Sequence, residues 1–221
     1  MKIVTRVIII VLVLLGAWRV NELAAKVIDE RIYIVPCGAV DRKIIEELKD
    51  RLPGVLPMTA KAEIESEMAI PTAAYDRERA QYNAQKIADA GADKVRLAVT
   101  NERALVIIDK DIFVPGSDYL YGFADAKNGV AVVSLTRLGK EFSGVKPDRK
   151  VLIGRALKTA LRELGLSWKM EKCPSAKCPL SLPAGVADID KMRDSYCYKC
   201  RVALERVSIG ETLIGSKLQK K

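Results

Sequence analysis

Apolar residues along this chain fall into three kinds of run, and each predicts a different element. The first is continuous. Residues 7–18, VIIIVLVLLGAW, carry no charge and sit between Arg6 and Arg19. As a helix this run would be about 18 Å long, against roughly 30 Å of bilayer hydrocarbon. The length and the basic start suit a secretory h-region. With Arg6 and Arg19 reaching outward, residues 3–20 would also serve as an uncleaved anchor. The competing reading makes the run a buried first element of the fold. Residues 1–27 are therefore expected to be a membrane anchor or signal segment plus linker, with 28–209 as the folded domain and 210–221 as a basic tail. Membrane attachment or export follows from this, and a cytoplasmic location follows if the run belongs to the fold.

The second kind of run has helical spacing. Asp41 is placed to cap a helix with Ile44, Ile45, Leu48 and Leu52 on one face, broken by LPGVLP at 52–57. A second helix is predicted over 76–90, with Ala80, Ala84, Ile87 and Ala88 inward and Gly91 as its C-cap. A third, over 149–166, buries Ile153, Leu157, Leu161 and Leu164, and a last one is expected around 186–208. The third kind reads as strand: RIYIVP at 31–36 stopped by Pro36, KVRLAVT at 94–100, ALVIID at 104–109 and GVAVVSL at 129–135. Strands interleaved with helices predict one α/β (α+β) domain.

Composition narrows the chemistry. Hydrophobic content of 49% and charged content of 29% describe a globular chain. The net charge of +9 suits an anionic partner, nucleic acid or a lipid surface. There is no histidine. A Ser-His-Asp triad, a Cys-His dyad and a His-built catalytic metal site are therefore all excluded.

Four of the five cysteines are paired closely, as Cys173-x4-Cys178 and Cys197-x2-Cys200, with eighteen residues between the pairs. Short loops let both sulfurs of a pair reach one ion, the spacing of a closed zinc-thiolate site. Lys177 and Lys199 offset the thiolate charge. Two disulfides are the alternative, open to an exported protein. Cys37 has no imidazole to activate it and reads as a buried thiol at a strand end.

The cysteines follow a second pattern. Residues 162–173, RELGLSWKMEKC, fit the frame His-Glu-x-x-His-x-x-Gly-x-x-His of zinc peptidases, but with Arg162, Leu166 and Lys172 at the three histidine positions and Lys169 at the glycine. Glu163 keeps the glutamate, and Leu180 follows Cys178-Pro179 where a methionine is expected. With YIVPCGAVD, AYDRERAQYNAQKI and DIFVPGSDYLYGFADAKNGVAVVSL upstream, the chain from 31 to about 205 resembles the archaemetzincins, a family of small zinc peptidases.

That resemblance implies a compact metzincin-like domain with a mixed sheet, packed helices, one zinc held by three histidines and one held by four cysteines. The cysteines carry over individually, so one structural Zn²⁺ is expected at Cys173, Cys178, Cys197 and Cys200. The catalytic ligands do not carry over. Arg cannot be deprotonated and Leu has no donor, so no catalytic zinc is expected and Glu163 becomes vestigial. The expected protein is an inactive peptidase homologue whose former active site is either a filled, inert cleft or, with Lys158 and Arg162 projecting into it, a basic groove that takes a peptide or protein ligand along the edge strand VAVVSL. An active zinc peptidase is the alternative. A basic zinc module on nucleic acid is a third reading, opposed by the 5% aromatic content and the lack of a recognition-helix pattern.

Overall fold

The computed structural model describes residues 30–97, 102–139 and 147–208. The strands are β1 Glu30–Cys37, β2 Ala60–Ile64, β3 Tyr75–Asp76, β4 Gln81–Asn83, β5 Glu102–Ile108, β6 Ile112–Phe113, β7 Gly122–Asp125 and β8 Val130–Ser134. The helices are α1 Arg42–Val55, α2 Ala84–Val95, α3 Thr136–Gly139, α4 Arg149–Ser167, α5 Val186–Lys191 and α6 Tyr198–Ser208. The main sheet has the order β2-β1-β5-β8-β7, all parallel except the antiparallel pair β7–β8. A small second sheet, β3-β4-β6, mixes both pairings.

The inner strands are buried on both faces, which is why they read as continuous apolar runs. Ile32 and Ile34 of β1, Leu105 and Ile107 of β5, and Ala131 and Val133 of β8 point to one core. There they meet Ile44, Ile45, Leu48 and Leu52 of α1, and Ile153, Leu157, Leu161 and Leu164 of α4. Val35, Val106, Ile108, Val130 and Val132 point the other way, against Ala84, Ile87 and Ala88 of α2. Burying one such leucine contributes about 1.5–3 kcal/mol, so the α4 stripe alone holds that helix to the sheet.

The expected mixed α/β domain is present, and several local expectations are revised. The helix predicted over 76–90 is a hairpin followed by a helix. The Asp76 carboxylate accepts the N–H groups of Glu78 and Arg79, and Ala80 turns left-handed at φ 51°, so α2 starts only after Asn83, whose side chain caps Lys86 N–H. Gly91 is not the cap. It lies inside α2, where a Cβ would sit 2.6 Å from Val106 Cγ2, so the glycine is there for close helix–sheet approach. The helix runs on to Val95 and ends at left-handed Arg96, which removes the start of the strand predicted over 94–100; residues 98–101 are outside the described segments. As expected, α1 ends within LPGVLP, at Val55, with Pro53 inside its last turn. Likewise Pro36 lies within β1, its carbonyl accepting Met68 N–H at 2.8 Å.

The helix expected around 186–208 is two helices parted between Met192 and Cys197, and the break brings Cys197 toward Cys173. Finally, VAVVSL is not the edge strand. It is β8, paired on both sides, and the edge is β7, GFAD. The anchor or signal segment at 1–27 and the tail at 210–221 lie outside the described residues. Among those that are described, no helix is long and apolar enough to cross a membrane.

One buried carboxyl makes the fold pH-dependent. Glu30 opens β1 at 3% exposure, and burial pushes its pKa up to about 7 against the opposing charge of Arg103. The folded state thus holds a proton that the unfolded chain has released, between about pH 4.5 and 7. Glu30 therefore stabilises most below pH 4.5, and that contribution is lost as pH rises through 7. Chemical denaturation of the wild type and of Glu30→Gln from pH 4 to 8 should show their stability difference shrinking and then reversing sign as pH rises. A difference constant with pH would contradict this.

Candidate functional site

Two neighbouring features are built on α4 and the chain that follows it. The first is the cysteine cluster. Cys173 and Cys178 lie on the loop after α4, held by Cys173 N–H donating to Leu180 carbonyl at 3.0 Å and Cys178 N–H donating to Ser175 carbonyl at 2.9 Å. Cys197 precedes α6 and Cys200 lies in its first turn. All four sulfurs lie within 4.8 Å of one another, with Cys173 and Cys197 3.8 Å apart. Four sulfurs at 2.3 Å from a central ion would be spaced by about 3.8 Å. The four thiols are free, not bridged in pairs. Cys178 and Cys200 are buried and Cys173 and Cys197 half-buried, so the donors fit an enclosed thiolate site for a soft or borderline metal.

Burial raises the Cys178 and Cys200 thiols. Burial acts on Cys197 as well, but hydrogen bonds from Cys200 and the adjoining thiols outweigh it and bring that pKa down to about 7. Next to the cluster, buried Tyr196 donates its hydroxyl to Leu161 carbonyl at 2.5 Å, which ties the cysteine loop to the middle of α4. Cys37, by contrast, is a buried thiol at the end of β1, raised by desolvation to about 11 and so unreactive.

The second feature is a cavity of about 250 Å³ between α4, the start of β7 and the 182–184 segment. Tyr119, Tyr121, Lys158, Arg162, Glu163 and Leu182 line it. Glu163 is only 2% exposed and is pressed against β7: a Cβ on Gly122 would meet Glu163 Cγ at 2.6 Å. Burial raises the Glu163 carboxyl above the usual carboxylate range, opposed by Arg162 and then by Lys172. Arg162 is ion-paired directly to Glu163 and donates through Nε to Ser181 carbonyl at 3.1 Å. Lys158 donates to Asp190 carbonyl at 2.9 Å.

The three positions that replace histidines are thus spread. Arg162 occupies the cleft, Leu166 is half-buried against the core, and Lys172 is exposed at the rim of the loop. Among the described residues the four cysteines are the one group of His, Cys, Asp or Glu arranged to hold a metal, and the cleft offers none. Lys169, at the signature's glycine position, is left-handed at φ 62°. Leu180, at the methionine position, is fully buried and touches α4 where it has no side chain, since a Cβ on Gly165 would lie 2.6 Å from Leu180 Cδ2.

Sequence reasoning missed Gly122, Ser181, Tyr196 and the buried Arg155, which grips Asp190 with two bonds of 2.7 Å and holds α5 to α4. Of these only Tyr196 had a signal, its place next to Cys197. The others act through backbone or through pairs distant in sequence.

The chain is similar to known proteins in sequence and in fold. The model of peptidase family M54 matches residues 7–206. The archaemetzincin of Pyrococcus abyssi is 34% identical over 181 residues, covering 79% of this chain and 94% of that protein. The crystal structure of archaemetzincin from Methanopyrus kandleri superposes with a TM-score of 0.70 at 22% identity, over 84% of this chain and 98% of that one. A zinc-dependent peptidase from Methanocorpusculum labreanum gives 0.68 at 25% identity, over 78% and 99%.

Two substitutions test the local geometry. Lys169→Gly removes a left-handed strain of about 1–2 kcal/mol and adds unfolded-state entropy, so stability should rise by about 0.5–1 kcal/mol. Gly165→Ala should instead lower it by about 1–2 kcal/mol, because overpacking against Leu180 exceeds the helix-propensity gain. Urea midpoints for the two variants give both signs.

Proposed function

The chain belongs to peptidase family M54, and within it we propose that this protein is a non-catalytic archaemetzincin that keeps the structural metal centre and has lost the catalytic one. The observation that carries the reading is the Arg162–Glu163 pair in the cleft. Peptide hydrolysis by a zincin needs three neutral or anionic ligands and a glutamate free to accept a proton. Here a guanidinium stands at the first ligand position and engages the glutamate, an alkyl group stands at the second, and an ammonium at the third. At about 4 Å a fixed cation would repel an incoming one by about 1 kcal/mol in water, and several times that in a dry cleft.

Cys173, Cys178, Cys197 and Cys200 would hold one Zn²⁺, which when bound supplies a cross-link and no reaction. The chain's own residues do the rest. Tyr196 fixes the loop to α4, and Leu180 fills the space beside Gly165. Arg155 with Asp190 ties α5 to α4. What the cleft keeps is a cationic seat beside an edge strand. An extended acidic segment laid along β7 would place a carboxylate near Arg162 and Lys158. Attachment to a membrane through residues 3–20 rests on the apolar run alone.

Family membership favours a second reading, an active zinc peptidase. Metal content separates the two. Elemental analysis of the purified chain should give one zinc per chain, and Cys178→Ser should lose it while lowering Tm by about 10 °C or more. Two ions, or peptide hydrolysis that chelators and Glu163→Gln both abolish, would establish the peptidase. A fluorescent acidic peptide should bind saturably and be released by Arg162→Ala, with circular dichroism confirming that α4 persists. Equal binding by that variant would remove the peptide seat.

A further inference from the structure

A second hollow, of about 430 Å³, shares Lys158 and Met192 with the cleft. Its charged and hydroxyl lining comes from three separate parts of the chain: Arg51 of α1, Lys150 and Lys158 of α4, and Arg193, Asp194 and Ser195 of the segment between α5 and α6. Four cations therefore face one carboxylate. That carboxylate is exposed and weakly engaged, 3.8 Å from Arg51. The nearby Asp190 is shared with buried Arg155, which donates to both its oxygens. Among the described residues, Lys158 donates to a neutral acceptor, the Asp190 carbonyl. Lys150 and Arg193 have no carboxylate partner among the described residues.

Cations gathered in this way repel one another unless an anion joins them. Consistent with that, the Lys158 ammonium is held below its usual range, first by burial and then by Arg155 and Arg51, against the pull of Asp190 and Asp194. The deficit of negative charge is concentrated in a hollow rather than spread along a face, which separates this feature from a nucleic-acid track.

We propose that the hollow is a binding site for a phosphate-bearing small molecule, a phosphomonoester whose dianion sits among Arg51, Lys150, Lys158 and Arg193 with Ser195 as a hydroxyl donor. A tetrahedral dianion offers acceptors in several directions and balances more of this charge than a planar monoanionic carboxylate. The volume is within the range of small-molecule sites and larger than phosphate alone, which leaves room for the organic part. The inference stands whether or not the adjoining cleft hydrolyses peptides.

Gly154 provides a test that leaves every charge in place. It lines the hollow from α4, and a Cβ there would meet nothing within 4 Å. Gly154→Leu should fold at least as well as the wild type, since leucine is the better helix former, and should fill the space the ligand needs. Isothermal titration of the full, metal-loaded chain with inorganic phosphate and with glycerol 3-phosphate, at fixed ionic strength, should show one saturable site for each. Arg193→Ala and Lys150→Ala should each weaken it about tenfold, the loss of one charge-assisted contact. Gly154→Leu should weaken binding of glycerol 3-phosphate more than that of inorganic phosphate, and Arg162→Ala should leave both intact. No saturable phosphate binding, or binding unaffected by Gly154→Leu and Arg193→Ala, overturns the proposal. So does preference for acetate, an acidic peptide or a short DNA strand over both phosphates.

Discussion

The close seat of α4 against the sheet is the constraint on which the rest of the molecule depends. Its leucines fill the core beneath β1, β5 and β8, and two glycine contacts set how near it can come. Gly122 of β7 lets the Glu163 side chain lie against strand backbone, and Gly165 of α4 lets Leu180 press into the helix. The cysteine loop hangs from the same helix through Tyr196, and α5 is bound to it by Arg155. The cysteine cluster, the cleft and the basic hollow are therefore all set by one packed element. A shift of α4 by a fraction of an ångström would be felt in all of them, because close-packed interiors transmit displacement.

Placing an ion pair where a metal site is expected has an energetic logic. A buried glutamate alone would be costly, and its neighbour in sequence supplies the opposite charge. Such a pair is weak evidence for added stability, since desolvation offsets attraction, but removing one partner leaves an uncompensated charge. Arg162 also satisfies Ser181 carbonyl, so the guanidinium has a structural duty besides neutralising Glu163. With Arg162 committed to Glu163 and Ser181, the cations around Lys158 are left to balance one another.

Much of the fold was legible because periodicity is local. The stripe Ile153, Leu157, Leu161, Leu164 predicted α4 to within a residue of its end, and the runs at 104–109 and 129–135 predicted two inner strands. Errors came where side chains serve the backbone instead of the pattern. Asp76 folds a turn rather than starting a helix, and Gly91 stays inside a helix because packing makes it tolerable. Choosing β8 as the edge failed for a different reason. A strand's neighbours are set by pairings that the sequence does not number.

The sequence by itself determined the ligand chemistry. Cysteine spacing points to a four-sulfur cluster that could hold a metal, and the absence of imidazole excludes a histidine-held one, because donor type is a property of single residues. Only the tertiary structure decided what fills the gap. That Arg162 turns onto Glu163, that Glu163 rests on Gly122, and that Arg51, Lys150, Lys158 and Arg193 converge on one hollow are all contacts between segments far apart in the chain or choices of rotamer. Such contacts depend on how α4 is packed, and packing is set by the whole core at once rather than by any stretch of it.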